Sequence, residues 1–195
     1  MIEACDKVMS GEFRNAFCAT RPPGHHAGIF GKTFHGDDST KACSNGFCFV
    51  NNVAVAAAYL KSQYRDKIKK IAIVDFDVHH GNGTQEIVEA LIKPKEFIIK
   101  SNVSPFATCE IKSYQYKPWL DLDDGKNVLF TSIHLHDNTG GIFFPGTGSE
   151  DENTTDEDRV FPGGILNVPL TPGFATAQEW REAFTTKIFP RLMEF

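Results

Sequence analysis

The stretch KIAIVDFDVHHGNG, residues 70–83, decides the fold class of this chain. It opens with a short apolar run at residues 70–75 that ends in an acidic residue, and it continues into two neighbouring histidines and two glycines. A run of this kind is typical of a strand buried on both faces of a parallel sheet. Ligands of such sheets gather beyond the carboxyl ends of the strands, so the polar residues after the run are expected at a functional edge.

Other apolar segments have the same strand pattern. Residues 128–134 resemble the first strand, and residues 165–168 and 15–19 are weaker candidates. Helices are expected between these strands. The chain therefore predicts a doubly wound, mostly parallel α/β sheet with helices on both faces, a three-layer αβα arrangement.

Three segments predict helices. Residues 51–64 are rich in alanine, and residues 85–92 follow the motif loop. Thr176 and Glu179 have the spacing of a capping box at the start of a third helix. Pro190 is expected to bend or end that helix, because proline lacks the backbone N–H that a helix interior needs.

Length and charge exclude little. The chain has 195 residues, 41% hydrophobic and 23% charged, which suits one soluble domain or a piece of a larger one. The net charge of −5 argues weakly against direct nucleic-acid binding. No apolar stretch is long enough to span a membrane, and the N-terminus does not read as a secretory signal.

The five cysteines form no CxxC pair, and their number is odd. A disulfide framework or a thiolate zinc site would need closer spacing. Reduced, mostly buried thiols of an intracellular protein are the favoured interpretation. The residues are Cys5, Cys18, Cys43, Cys48 and Cys109.

Two segments look like insertions. Residues 93–126 separate a helix from a strand and contain three prolines, and residues 150–159 hold six acidic side chains. A solvated, mobile loop is the expectation for the acidic segment, and docking of a basic partner is the alternative.

Asp77 and His79 are candidate metal ligands. Residues two apart in an extended segment project to the same side, so this carboxylate and imidazole can hold one face of a zinc ion. The spacing alone is a weak signal, because a surface polar pair looks the same. Gly81 and Gly83 strengthen it, since glycines permit a loop that closes tightly around an ion.

His25 and His26 are candidate proton carriers. They follow two prolines and a glycine, and a stiff turn of this kind fixes the directions of the two rings. Histidine is the side chain best suited to move protons near neutral pH. A single His-His pair is usually incidental, but this chain has two such pairs in glycine-flanked loops.

Phenylalanines beside glycines form a third feature. They occur in the segments 46–49 and 143–148. Most phenylalanines of a soluble domain belong to its core. A facing pair could instead line a narrow apolar tunnel for an alkyl chain.

Together these motifs resemble the zinc-dependent histone deacetylase family, which also holds the bacterial acetylpolyamine amidohydrolases. The form of the first motif and Asn82 look more like the class II branch than class I. The shared motifs occur in the family's order at residues 21–26, 46–52, 75–83, 132–134 and 143–148.

The resemblance implies roles for individual residues. His26 matches the general base and acid, with Asn82 as its partner, and His25 is the neighbour held by Asp75. An amide partner orients the ring without a charge, so His26 should be less basic than beside an aspartate. The resemblance also implies zinc ligands at Asp77 and His79, a substrate tunnel at Gly46, Phe47 and Phe144, and a monovalent cation such as K⁺ at the backbone of Asp75, Asp77, His79, Ser132 and Ile133.

The family also needs a third zinc ligand and a tyrosine hydroxyl or its substitute, and both are expected beyond Phe195. The family's first strands are expected before Met1. Residues 1–195 are therefore expected to be a single partial catalytic domain, incomplete at both ends, with weak or no activity on its own.

The activity that the resemblance implies is zinc-dependent hydrolysis of the acetyl amide of N-ε-acetyl-lysine in histones or other proteins. Two alternatives stay open: deacetylation of an acetylated polyamine, and a non-catalytic, deacetylase-like scaffold. The expected partners are an acetylated lysine side chain and a corepressor-type complex that regulates chromatin and transcription, without direct contact to nucleic acid or membrane. Nucleus and cytoplasm are both compatible with the sequence, and the family likeness favours the nucleus.

Overall fold

The computed structural model describes residues 1–31, 46–93, 96–104, 107–114, 119–137, 143–158, 160–173 and 175–195. The chain contains both helices and strands, as expected. The helices are α1 (Ile2–Met9), α2 (Asn52–Gln63), α3 (Asn82–Ile92), α4 (Asp124–Asn127), α5 (Ala177–Ala183) and α6 (Phe189–Glu194). The strands are β1 (Ile71–Asp75), β2 (Glu96–Ser104), β3 (Ala107–Tyr114), β4 (Val128–Leu135) and β5 (Gly164–Leu170).

Strands β1, β4 and β5 form a parallel sheet in the order β1-β4-β5. The sequence predicts all three strands. The register places Asp75 beside Ser132 and Ile133 beside Val168, so the carboxyl ends of the three strands lie along one edge. That edge carries the residues discussed below.

Each face of the sheet is covered by helices. Side chains alternate between the faces along a strand, and so Phe130 and Ile133 belong to different clusters. Phe130 packs with residues of α2 and α3, whereas Ile133 packs with Val168 and Ile188 next to the C-terminal helices. The expected three-layer αβα arrangement is confirmed.

Helix α2 begins as its sequence predicts and is joined to α4 by a buried ion pair. The Asn51 side chain caps it by accepting a hydrogen bond from the Ala54 N–H at 3.1 Å. The Lys61 ammonium lies 3.4 Å from a carboxylate oxygen of Asp124, and both side chains are almost fully buried. Lys61 also donates to the Lys69 carbonyl, so its charge has two partners.

The segment 93–126, interpreted as an insertion, contains an antiparallel hairpin of β2 and β3. The two strands pair from Glu96 with Tyr114 to Ser104 with Ala107, with a register shift near Asn102. The Lys100 ammonium lies 2.7 Å from the Glu110 carboxylate across the hairpin. The sequence analysis did not predict these strands, and Pro94, Pro105 and Pro118 lie outside the described residues.

The acidic segment contains short turns and ionic contacts with other parts of the domain. Two short 3-10 turns occupy Glu150–Glu152 and Asp156–Asp158. Ionic contacts join Glu150 to Lys187 and Asp158 to Lys93. The described acidic residues are exposed or half-buried, as a solvated segment would be, and the expected mobility stays a prediction; Arg159 lies outside the described residues.

The C-terminal helical segment corrects one prediction and confirms another. Thr176 and Glu179 form the predicted capping box, in which Thr176 Oγ1 accepts from the Glu179 N–H at 3.2 Å and Glu179 Oε2 accepts from the Thr176 N–H at 2.7 Å. Pro190 does not end the helical segment, and the alternative expectation of a bend at this residue stays a prediction. A π-helical turn, Phe184–Ile188, precedes it, and Pro190 lies in the first turn of α6, where no N–H is required.

Two smaller expectations are also corrected. Residues 15–19 contain no strand. Cys48 is buried, but Cys5 and Cys18 are half-buried and Cys109 is exposed, so the expectation of mostly buried thiols is wrong. Cys5, Cys18 and Cys109 are free thiols, the Cys48 Sγ accepts a hydrogen bond from the His26 N–H at 3.4 Å, and Cys43 lies outside the described residues. No helix of the described segments is long and apolar enough to cross a membrane.

The substitution Lys61→Met should lower the free energy of unfolding by about 3–5 kcal/mol, because it leaves the buried Asp124 carboxylate without its ionic partner. Chemical denaturation measures this loss. The matched control is Lys126→Met, which removes an exposed pair with Asp123 at 3.2 Å and should cost at most about 1 kcal/mol. Equal losses in the two variants would contradict the account.

Asp6 docks α1 onto α2 by accepting hydrogen bonds from the hydroxyls of Tyr59 and Tyr64, both at 2.7 Å. The bond to Asp6 raises the pKa of Tyr59 to about 12, and the same bonds lower the pKa of Asp6. A depressed carboxyl pKa contributes stability above its ordinary value and loses it as the pH falls through the folded-state value.

The substitution Asp6→Asn should therefore return the Tyr59 pKa towards the ordinary value of about 10. Absorbance of tyrosinate during an alkaline titration reports this change. The exposed Asp66→Asn variant should leave the titration as it is, and an unchanged curve for Asp6→Asn would refute the docking contact.

Candidate active site

Three loops meet at the carboxyl edge of β1. One carries His25 and His26, the second follows Asp75 at the end of β1, and the third spans residues 143–148. Together with Gly46 and Phe47 they enclose a cavity of about 470 Å³. The sequence placed its candidate residues at this edge, and the structure brings them together.

His25 is bound to a half-buried carboxylate. Its Nδ1 lies 2.8 Å from Asp75 Oδ2, and its Nε2 lies 4.0 Å from Asp77 Oδ1. Burial lowers the pKa of His25, but the hydrogen bond and charge of Asp75, with the charge of Asp77, outweigh it and raise the pKa above the ordinary value. This ring is therefore the one of the pair that holds a proton more readily.

His26 has the opposite electrostatic environment. Its Nδ1 lies 2.7 Å from Asn82 Oδ1, and the ring is almost fully buried. Burial, with the neighbouring His25, lowers the pKa of His26 to about 4, although the bond to Asn82 acts against the shift. An amide oxygen can only accept, so Nδ1 carries the hydrogen and Nε2 carries the lone pair of the neutral ring.

The backbone fits closely around these rings. Gly81 leaves no room for a Cβ, which would lie 2.1 Å from Asp75 Oδ2. Gly46 has φ +51°, and a Cβ there would lie 2.2 Å from the His26 ring. The next residue, Phe47, also has a positive φ of 63° and is 82% exposed. Its ring therefore lines the mouth of the cavity rather than the core.

Asp77 and His79 fit one face of a zinc ion. Asp77 Oδ1 and His79 Nδ1 are 3.5 Å apart, and both side chains line the cavity and are partly exposed. Two tetrahedral zinc ligands with bonds of about 2.0–2.2 Å lie roughly 3.3–3.6 Å apart. The described residues contain no group of three or more metal-ligating side chains, so this pair alone does not complete a zinc site.

Phe144 and Phe143 pack against the same rings. Phe144 meets His26 and His79 edge-on, with centroids 4.9 and 5.4 Å apart, and Phe143 stacks on His79 at 5.6 Å. Phe144 and Phe47 both line the cavity, as a tunnel for an alkyl chain would require. The contact of Phe143 with His79 was not singled out in the sequence.

Ser132 and Ile133 lie beneath this edge on β4, with Ser132 in register with Asp75. Both are buried, and Ser132 Oγ lies 2.8 Å from His134 Nδ1. The backbone carbonyls at the end of β1 therefore lie beside those of Ser132 and its neighbours on β4. The proposed monovalent-cation role of these residues stays a prediction.

A buried polar cluster that the sequence analysis missed lies behind the cavity. His80 is fully buried, with Nδ1 2.7 Å from Thr147 Oγ1 and Nε2 2.9 Å from Gln85 Oε1. Its ring lies 4.6 Å from that of His134, whose Nε2 donates to the Gly148 carbonyl. Burial is the main cause that lowers the pKa of both rings, to about 4 for His134. In the sequence, the one indication of this cluster was the second histidine pair, His79 and His80.

The chain is similar to known proteins over its whole length. Residues 1–195 match the family model described as "Histone deacetylase domain". Histone deacetylase 4 of Caenorhabditis briggsae is 36% identical over 195 residues, which cover all of this chain and 16% of that protein.

Two solved structures have the same fold. The HDA15 HD domain matches with a TM-score of 0.63 and 31% identity, over 100% of this chain and 41% of that one. The acetylpolyamine aminohydrolase of Burkholderia pseudomallei matches with a TM-score of 0.57 and 25% identity, over 97% and 39%. The chain thus spans about two fifths of these structures.

The substitution Gly46→Ala should displace the His26 ring, because the new methyl group would overlap it. Gly11→Ala is the matched control: Gly11 also has a positive φ, of 82°, but open space surrounds it. Both variants should carry a backbone strain of about 1–2 kcal/mol. Imidazole NMR signals of His26 should move only in Gly46→Ala; unchanged signals there would contradict the close packing.

Proposed function

Because this chain belongs to the histone deacetylase domain family, we propose that it carries part of the site of a zinc-dependent deacetylase. The reaction is hydrolysis of the acetyl amide of N-ε-acetyl-lysine in histones or other proteins. The activity, substrate and partners proposed here are those of the whole protein. Residues 1–195 would contribute the proton-carrying histidines, two zinc ligands and part of the substrate tunnel.

One observation carries the proposal: a metal-compatible donor pair lies in the same cavity as two histidines with opposite electrostatic environments. Asp77 Oδ1 and His79 Nδ1 are 3.5 Å apart, and the mutually tilted rings of His25 and His26 lie beside them with centroids 4.0 Å apart. A surface polar pair or a purely structural histidine cluster does not require this combination. Metal-assisted hydrolysis does, since it needs an electrophile and a base at one place.

Asp77 and His79 would hold the zinc ion with further donors. A bound zinc ion would supply Lewis acidity for polarising an acyl carbonyl and for acidifying a water molecule. The Asp77 carboxylate also accepts the His79 backbone N–H at 2.9 Å, which holds the two ligands in a fixed relation. Pre-organised ligands of this kind favour binding because little order has to be gained.

His26 would act as the general base and then the general acid. Its Nε2 would take a proton from the attacking water and return it to the leaving amine. Asn82 supports this role by holding the hydrogen at Nδ1 without adding a charge. His25 would stay charged beside Asp75 and stabilise negative charge that develops on the acyl group.

The walls of the cavity suit the apolar stem of a lysine. Phe47 and Phe144 would lie along the methylene groups, with Gly46 beside them. Deeper in the domain, the backbone at Asp75, with Ser132 and Ile133, would hold a monovalent cation such as K⁺. That ion would be structural, because it lies at the strand ends beneath the cavity.

Hydrolysis of an acetylated polyamine is the second candidate. The fold likeness to an acetylpolyamine aminohydrolase supports it. A polyamine also presents an alkyl stem, so the described cavity accepts either substrate. The scaffold alternative is weaker, since a scaffold has no need for the paired His25 and His26 beside Asp77 and His79.

The remaining proposals concern the cellular setting. Acetylated histone tails would make the whole protein a regulator of chromatin and transcription, in the nucleus, the cytoplasm or both. A corepressor-type complex is the proposed protein partner. These assignments follow from the family alone.

In the full-length protein, His26→Ala should lower kcat for an acetyl-lysine peptide by about 10²–10⁴-fold, the usual contribution of a general base. Asp77→Asn should lower both activity and the zinc content of the purified protein. The control is Asp66→Asn, an exposed carboxylate that does not line the cavity, which should alter neither.

An assay of the same preparations with acetylspermidine distinguishes the two substrate classes. A kcat/KM that is higher for the peptide supports the lysine deacetylase, and the reverse supports the polyamine enzyme. Wild-type activity in His26→Ala would refute the proposed chemistry for either substrate.

A further inference from the structure

Gln85 on α3 is a buried side chain whose amide makes four hydrogen bonds to four different residues. Its Nε2 donates to Glu89 Oε1 at 2.9 Å and to Glu152 Oε2 at 2.7 Å. Its Oε1 faces His80 Nε2 at 2.9 Å and accepts from Asn167 Nδ2 at 2.8 Å. A glutamine amide has two N–H donors and two acceptor positions, so its hydrogen-bonding capacity is filled.

The orientation of this amide is set by charge. Ionised carboxylates only accept hydrogen bonds, so the two carboxylates of Glu89 and Glu152 require the amide nitrogen to face them. The amide oxygen must then point the other way, towards His80. Since an oxygen acceptor needs a donor opposite, the His80 ring has to carry its hydrogen at Nε2.

This arrangement connects distant parts of the chain. Glu152 lies in the first acidic turn, Asn167 on β5, and His80 directly after His79. On its other side His80 contacts Thr147, whose loop carries Phe143 and Phe144 against the His79 ring. The line of contacts therefore leads from the acidic turn, through Gln85, to a proposed zinc ligand and the cavity wall.

We propose that Gln85 is a positioning residue that couples the acidic turn Glu150–Glu152 to the Asp77–His79 loop by fixing the His80 ring with its hydrogen at Nε2. Gln85 touches neither the cavity nor a reacting group. Its action is indirect. The His80 ring contacts Thr147 through Nδ1 and Gln85 through Nε2. Because His80 directly follows His79, a fixed His80 ring also fixes the end of the Asp77–His79 loop. The acidic turn is thus part of the support of the site.

Long-range ¹H–¹⁵N NMR of the full chain tests the geometric part directly. Wild-type His80 should show a hydrogen at Nε2, and Gln85→Leu, which keeps an apolar group of similar size there, should shift it towards Nδ1. Gln178→Leu is the matched control, because Gln178 is exposed on α5. An unchanged Nε2–H signal in Gln85→Leu would overturn the proposal.

A charge exchange tests the coupling to function. Gln85→Glu places a third carboxylate beside Glu89 and Glu152 and removes the donating amide, and kcat should fall about tenfold with little change in KM. In the double variant Gln85→Glu/Glu152→Gln, the new amide at 152 can donate to the new carboxylate at 85. The double variant should recover most of the kcat lost per folded molecule, whereas a merely structural role would change only the folded fraction measured by circular dichroism.

The kcat measurement rests on the proposed deacetylase activity, and the NMR measurement does not. A wild-type protein without deacetylase activity, but with the Nε2–H signal that Gln85→Leu abolishes, would refute the proposed function and support the positioning role. An active wild type whose double variant is no better than Gln85→Glu would refute the coupling. If Gln85→Glu does not fold, recovery of folding in the double variant supports the contact, and its absence counts against it.

Discussion

The bond between Asp75 and His25 is the contact on which the rest of the site depends. Asp75 is the last residue of β1, paired in register with Ser132 of β4, so the sheet fixes its position. Its Oδ2 holds His25 Nδ1 at 2.8 Å, which places the next ring, His26, over Asn82. Gly81 makes the contact possible, since any side chain there would overlap the carboxylate. One strand end thereby positions two loops.

The two adjacent histidines differ because their partners differ. A carboxylate holds His25 and raises its pKa, whereas burial and the neighbouring His25 lower the pKa of His26, and the Asn82 oxygen leaves the lone pair of that ring at Nε2. Adjacent rings with opposite protonation preferences can divide a proton transfer between a charged group and a base. The buried hydrogen bonds of His80 hold the Asp77–His79 loop from the interior of the domain, independently of Asp75.

The elements that the sequence predicted are those whose apolar or capping pattern lies within a few consecutive residues. Buried apolar runs at β1 and β4 and the capping box at Thr176 have strong local signals, β5 has a weaker one, and all four are confirmed. The hairpin in residues 93–126 was missed because prolines near its ends read as breaks, while residues 15–19 have a strand's composition without a neighbouring strand to pair with. The motifs brought the right residues to one edge. The roles of Gln85 and Thr147 could not be predicted, because each depends on a partner 67 residues away in the chain. Gln85 donates to Glu152, and Thr147 contacts His80.

We propose that Asp77 and His79 hold a zinc ion next to the His25–His26 pair. Anomalous diffraction at the zinc edge from crystals of the full-length protein tests it most directly. The account predicts one strong peak bonded to Asp77 Oδ1 and His79 Nδ1 at about 2.0–2.2 Å. A zinc-loaded crystal with no peak at this pair, or with the ion bound elsewhere, would contradict it.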